Sequence, residues 1–254
     1  MILTLHIDNR IISLACYEGM HQAAFASIGT ESGSTAQEYA VRICQVLRFA
    51  GADTDALEGA VISSVVPQLS HTLVQSAQLL CGCAPLRVGA GIKTGLNLRV
   101  ENAAAVGSDF IATAVAALEE FQPPLIIIHL AGAVTFTAID EAGVLTGRSI
   151  LPGIESSLEH LCQASAQLPQ VDFVPQPPLI AKGTADAMRS GIFYGSLAAI
   201  EGMCLRYQEQ LGREAPILIT GSLAETICQY ARVPMACREH LLHDGLALIY
   251  AKNR

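Results

Sequence analysis

Tryptophan is absent from this 254-residue chain, and six tyrosines with seven phenylalanines hold aromatic content to 5%. A platform for stacking nucleic-acid bases needs such rings, so the composition argues against that function class. Basic residues are also scarce: 15 Lys and Arg stand against 23 Asp and Glu, a formal net charge of −8. Phosphate backbones are held by basic surfaces, so no nucleic-acid partner is expected. Long apolar runs are missing as well, although apolar residues make up 51% and mean hydropathy is +0.41. The run 125–128 meets His129 far short of the ~20 residues a membrane-spanning helix needs. The hydrophobicity is dealt into many short stretches of Ala, Ile, Leu and Val, the pattern of buried strands and their packing helices. No basic segment precedes the strand-like pattern at residues 1–5, so the chain reads as cytoplasmic and without membrane association.

Paired cysteine spacing is lacking too. Of eight cysteines, Cys81 and Cys83 lie one residue apart and the other six are scattered singly. A zinc site calls for C-x-x-C pairs or an accompanying His cluster. The cysteines therefore read as thiols in a reducing compartment, and no metal site is assigned.

What is present is an alternation of strands and helices. Residues 1–6 and 11–17 read as strands joined at Asp8-Asn9-Arg10, with a hairpin at Gly19. Thr35 followed by Glu38 is a capping box, predicting a helix over 35–50 with Tyr39, Ile43, Val46 and Leu47 on one face. A strand over 59–66 and a helix over 69–80 follow, then an Ala-rich helix over 104–121. Pro123-Pro124 marks the boundary between two halves. The second half repeats the order: strand 125–130, turn Ala131-Gly132, strand 134–140, hairpin Glu141-Ala142-Gly143. A long helix over 184–206, a strand over 216–219 and helices over 223–230 and 244–251 complete it. A duplicated α/β domain with a ligand between the copies is the natural inference, divided as 1–122 and 123–254.

The most distinctive stretch is Val88-Gly89-Ala90-Gly91-Ile92-Lys93-Thr94-Gly95-Leu96. Its glycines permit positive φ and close backbone approach to a ligand. It is not a P-loop, which needs G-x-x-x-x-G-K-[ST]. Gly107-Ser108-Asp109 follows at the head of a helix, where free backbone donors favour a carboxylate. Further on stand Ile150-Leu151-Pro152-Gly153-Ile154, Ser165-Ala166-Gln167-Leu168-Pro169, Gly183-Thr184, Ser190-Gly191 and Thr220-Gly221. With Ser63-Ser64-Val65-Val66-Pro67 and the terminal Asp244-Gly245-Leu246, this ordered set resembles the type III pantothenate kinases over nearly the full length.

The resemblance implies a duplicated actin/hexokinase-like (ribonuclease H-like) α/β fold of two domains around a central ligand cleft. It implies a homodimer that phosphorylates pantothenate with ATP, Mg²⁺ and a monovalent cation (K⁺ or ammonium). Carried over by motif, Gly89, Gly91, Ile92, Lys93, Thr94 and Gly95 line the pantothenate pocket, joined by Val100, Phe110 and, from the partner subunit, Thr184. Asp109 resembles the family's general base. His6, Asp8, Asn9 and Arg10 fall on the first phosphate turn, and His129, Gly132, Ala133 and Thr135 on the second. Thr220 and Gly221 fall on the adenosine turn.

Several of these positions depart from the family. Its first phosphate loop reads D-x-G-N-T where this chain has His6-Ile7-Asp8-Asn9-Arg10. Its second reads D-x-G-T-A-x-T where this chain has residues 129–135, His129 to Thr135. Both aspartates are therefore His, and imidazole is a poor ligand for a hard cation such as Mg²⁺. A gap that aligns Asp8 with the first family aspartate is the alternative for loop one. Asp8 sets a carboxylate where phosphate would approach; two like charges 4 Å apart cost ~4 kcal/mol at an effective dielectric of 20. Arg10 is one group able to neutralise it. Phe110 replaces an arginine, Val100 a tyrosine, Ala103 a proline. The two histidines read either as hydrogen-bonded residues filling the old aspartate space or as a new metal or anion site, the former being favoured. The expectation is a pantothenate-kinase homologue with lost or weakened phosphoryl transfer that binds a pantothenate-like molecule or pairs with an active paralogue. The alternative is an active kinase with a modified metal site, and a third reading is an interaction role without a ligand.

Overall fold

Leu3, Leu5 and Ile7 alternate with Thr4 and His6, and all five are buried, as a strand covered on both faces requires. In the computed structural model, which describes residues 1–89, 91–165, 167–211 and 215–254, this strand is the centre of the first of two units. Ala90 and Ala166 of the motifs above lie outside the described residues.

The first unit comprises Met1–Glu120 and Leu241–Arg254. Strand β1 (Ile2–Ile7) pairs antiparallel with β2 (Ile11–Glu18), which pairs with β3 (His21–Gly29); β4 (Gly59–Ser64) and β5 (Leu86–Arg87) add parallel on the other side. The order is β3-β2-β1-β4-β5. One face carries Leu3, Leu5, Ile12, Leu14 and Ile62 into a core with α1 (Ala36–Phe49) and α2 (Pro67–Cys81). Thr35 and Glu38 form the predicted capping box: the Glu38 N–H donates to Thr35 Oγ1 at 3.3 Å and the Thr35 N–H to Glu38 Oε2 at 2.7 Å. Tyr39, Ile43 and Leu47 are buried on the inner face.

The opposite face is covered by α3 (Ser108–Glu120), which follows the short β6 (Asn97–Leu98), and by the terminal helix. A Cβ at Gly245 would lie 1.9 Å from the Ala112 carbonyl oxygen, so glycine is what lets the terminal helix and α3 approach. His243 is buried with Nδ1 2.7 Å from Thr4 Oγ1 and Nε2 2.9 Å from Ser13 Oγ, and the Tyr17 hydroxyl donates to Asp244 at 2.6 Å. Burial and the Asp244 carboxylate both push the Tyr17 phenol well above its ordinary range. These contacts seat residues 241–254 in the first unit, which corrects the division at 123–254. Chain order placed the helix with the second half; packing returns it to the first.

The second unit spans Phe121–His240. Strands β7 (Leu125–Leu130), β8 (Ala133–Ile139) and β9 (Val144–Pro152) form an antiparallel meander, and β10 (Ile217–Gly221) and β11 (Ala236–Cys237) add parallel beside β7. Within the unit the order is β9-β8-β7-β10-β11. This repeats the first unit strand for strand, so the duplication expected from the layout is real. Helices α4 (Ile154–Ala164), α5 (Thr184–Leu211) and α6 (Ala224–Tyr230) follow, with Ile126, Ile128, Phe136, Phe193, Ile200 and Ile219 in the core. The terminal helix is thus α7 (Leu241–Lys252). Among the described residues no helix is long and apolar enough to cross a membrane.

One helix start differs clearly from the sequence expectation. The helix read as 104–121 begins at Ser108, after a separate short turn over Ala103–Ala105. A Cβ at Gly107 would lie 2.2 Å from Asp109 Oδ1, so the chain bends there to admit the carboxyl group. Helix α4 carries no strong start signal, because its N-cap is Gly153 with no side-chain hydrogen bond.

Candidate functional site

Parallel pairing of β1 with β4 sets His6 beside Ser63. His6 Nδ1 lies 3.1 Å from Ser63 Oγ, and Ser63 Oγ lies 2.8 Å from Ser108 Oγ. Ser108 also accepts the Ser64 N–H at 3.2 Å. A buried line of hydrogen bonds thus runs from the end of β1 to the first turn of α3, the turn that carries Asp109. Asp109 is only 9% exposed, and its Oδ1 has no hydrogen-bond partner. Leaving a buried acceptor unsatisfied costs roughly 1–3 kcal/mol, more for a charge. A fold that bears this cost holds an acceptor ready for a donor from outside.

The glycine-rich stretch stands in the same unit. It leaves β5 through the Val88 N–H, which donates to the Ile62 carbonyl at 2.9 Å. Gly91 and Gly95 take φ of +88° and +77°, backbone open to glycine at little cost. The Ile92 N–H reaches Gly89 O at 3.3 Å, closing a turn. Asn253 clamps the stretch from the chain end: its Oδ1 accepts the Lys93 N–H at 3.1 Å and its Nδ2 donates to Lys93 O at 2.8 Å. Thr94 Oγ1 accepts the Leu96 N–H at 3.2 Å. Ile92, Val100 and Phe110 rest against the apolar cluster of Val61, Ile111 and Leu246. Gly89, Gly91, Lys93 and Gly95 are exposed. Asn253 was missed by the sequence reading, since no local pattern announces a clamp 160 residues away.

In the turn between β1 and β2, Asp8 Oδ1 accepts the Asn9 N–H at 2.7 Å and the Asn9 side-chain amide at 3.3 Å. Thr30 Oγ1 donates to Asp8 O at 2.8 Å and the Thr30 N–H to Arg10 O at 2.9 Å. Asn9 supplies both of these donors to Asp8 Oδ1.

The second unit builds the corresponding turn from Ala131 and Gly132, where the Ala131 N–H donates to Ala133 O at 3.0 Å. A Cβ at Gly153 would lie 2.4 Å from Gly132 O, so Gly153 is needed for the start of α4 to press on this turn. His129 is flanked in register by Thr220 on β10 and Thr135 on β8. Thr220 Oγ1 donates to Glu239 O at 3.2 Å, whereas the buried Thr135 Oγ1 has no partner. Gly221 has φ +105°, and a Cβ there would lie 2.0 Å from Leu130 O. Thr184 is exposed at the first residue of α5. Among the described residues no group of three or more His, Cys, Asp or Glu is arranged to hold a metal ion.

Residues 2–206 match the model of the type III pantothenate kinase family. The chain belongs to the type III pantothenate kinase family. It is 35% identical over 254 residues to the type III pantothenate kinase of Anaeromyxobacter sp. (strain Fw109-5), covering 100% of both chains. It is 36% identical to that of Exiguobacterium sp. (strain ATCC BAA-1283 / AT1b), again over 100% of both. Membership of a kinase family implies ATP as a ligand. Among solved structures, a Campylobacter jejuni protein assigned to the Baf family of transcriptional activators matches at a TM-score of 0.62 and 18% identity, covering 99% of this chain and 98% of that one. An inorganic polyphosphate/ATP-glucomannokinase from Arthrobacter sp. strain KM matches at 0.51 and 12%, covering 98% of each. At these identities the likeness speaks for the fold alone, a duplicated ribonuclease H-like α/β fold.

Proposed function

We propose that this type III pantothenate kinase homologue binds a pantothenate-like molecule at Asp109 and transfers phosphate from ATP weakly or not at all. The observation that carries this reading is a contrast within one unit. Asp109 Oδ1 is kept buried and without a donor, while Asp8 already occupies the Asn9 N–H of the turn at residues 8–10. Asp109 in the family role accepts the proton of the attacking hydroxyl.

The Mg²⁺ that the family implies does not fit the residues present. A hard cation wants carboxylate or water oxygens. The two strand-end positions offer imidazoles, and His6 Nδ1 is engaged with Ser63. The nearby Asp8 carboxylate already accepts two donors from Asn9.

A second reading is an active kinase with a modified metal site, favoured by the preserved Asp109 and the Thr220–Gly221 turn. Assay of the purified protein with pantothenate, ATP, Mg²⁺ and K⁺ or ammonium separates the two. The double variant His6→Asp/His129→Asp gains activity if the ancestral metal site decayed, and loses it if the histidines have their own chemistry. For assembly the reading is a homodimer, or a complex with an active paralogue, in which Thr184 reaches the neighbouring subunit's ligand. Light scattering of the protein alone and with the paralogue tests this.

A further inference from the structure

Asn253, just beyond α7, pairs with Lys93 as a residue of a neighbouring strand would. Its Oδ1 accepts the Lys93 N–H at 3.1 Å and its Nδ2 donates to Lys93 O at 2.8 Å. The other Nδ2 hydrogen goes to Ile249 O at 2.8 Å, a carbonyl whose usual helical partner, the Asn253 N–H, turns to Tyr250 O at 3.1 Å. A primary amide has two donor hydrogens and one carbonyl oxygen, and all three are engaged. One side chain thus fastens the end of α7 to both backbone groups of one residue in the glycine-rich stretch. Lys252 lies against the same stretch: a Cβ at Gly95 would be 3.4 Å from its Nζ. Ile92 and Leu96 rest on the apolar cluster that holds Ile249 and Tyr250. Between them, Gly91 and Gly95 at positive φ loosen the backbone on either side of Lys93, so a tether there has something to restrain.

We propose that Asn253 is a positioning residue for the glycine-rich stretch, and that α7 is the spacer setting this stretch against Asp109. Nearer its start, α7 meets α3 where Gly245 faces Ala112, and α3 carries Asp109 in its first turn. The two parts of the candidate site that lie in the first unit therefore share one helix. The ligand side of this role rests on the reading of the stretch as the seat of a pantothenate-like molecule. The contact is specific to asparagine. Aspartate keeps an acceptor for the Lys93 N–H but turns oxygen towards the carbonyls of Lys93 and Ile249, where repulsion replaces two hydrogen bonds. Alanine keeps none of the three. A residue that only filled space at 253 would tolerate the isosteric aspartate; a positioning residue does not.

Trypsin reads the contact, because Lys93 is exposed and cleavage after it requires its backbone to leave Asn253. Cleavage of a folded protein follows the population that has opened locally. The full-length protein, Asn253→Ala and Asn253→Asp are digested briefly and the cuts mapped by mass spectrometry. Exposed Lys182 in the second unit serves as internal reference. Both variants are expected to be cut after Lys93 about tenfold faster than wild type, Asn253→Asp no less than Asn253→Ala, with the rate after Lys182 unchanged. Their calorimetric affinity for pantothenate is expected to fall about tenfold. Cleavage after Lys93 at the wild-type rate in both variants overturns the proposal. So does an equal rise after Lys182, the mark of general loosening, or faster cleavage after Lys93 with pantothenate affinity unchanged. Faster local cleavage in the variants of a wild-type protein that binds no pantothenate upholds the tether and overturns the pantothenate reading instead.

Discussion

In the first unit a polar row Ser63–His6–Ser13 crosses β4, β1 and β2; in the second, Thr220–His129–Thr135 crosses β10, β7 and β8. The duplication has put a histidine at the same place in each sheet, between two hydroxyl residues. The first row is tied into its surroundings: Ser63 joins His6 to Ser108, and Ser13 meets His243. The second leaves Thr135 Oγ1 buried without a partner. A histidine in such a row can be held by neighbouring hydroxyls, as His6 is by Ser63. The first row is knit into the fold, while the second unit keeps an open polar group at Thr135.

The largest expected effects concern the glycines that let each unit pack around its row. Gly245→Ala places a Cβ 1.9 Å from Ala112 O, and Gly221→Ala one 2.0 Å from Leu130 O. Each should destabilise the protein by ~3 kcal/mol or more in urea unfolding, at the upper end for overpacking. Equal losses show that both units demand the same close approach. A loss confined to one breaks the symmetry.

Next is the carboxylate. Asp109→Asn should lower any phosphoryl transfer by ~100-fold or more, the scale of a lost general base. It should leave stability unchanged or raised, because Oδ1 makes no hydrogen bond that the substitution could break. Unfolding midpoint and activity measured on one preparation check both parts.

The rows themselves are compared by deleting one hydroxyl in each. Ser63→Ala should cost ~1–2 kcal/mol, since Ser108 and His6 each lose a partner, whereas Thr135→Val should be neutral or stabilising. A similar cost at both sites removes the distinction between a satisfied and an unsatisfied row. The smallest effect is at the surface: Thr35→Ala should lose ~1 kcal/mol of α1 capping. Hydrogen bonds from Thr35 hold the Glu38 carboxyl below its ordinary range, so this contribution is present above the usual carboxylate pKa. It fades as pH falls through the depressed value, which an acid titration of stability in wild type and variant detects.

Much of this architecture was legible because its signals are local. The Thr35–Glu38 box, the Asp8–Arg10 turn, Pro67 at the head of α2 and the repeated strand order follow from residues close together in the chain. Family motifs likewise pointed to Asp109. Features set by register and packing were not legible. The His6–Ser63 pair exists only once β1 and β4 align, and the Asn253 clamp needs the chain end to return to the first unit. The start of α3 was misjudged because Ala104 and Ala105 have high helix propensity, whereas Gly107 must make room for Asp109.

The most direct test is calorimetric titration of the purified protein with pantothenate beside a kinase assay on the same sample. Saturable binding is predicted, with turnover at least ~100-fold below the ~10 per second typical of enzymes. Turnover at that ordinary rate with ATP and Mg²⁺ would contradict the account.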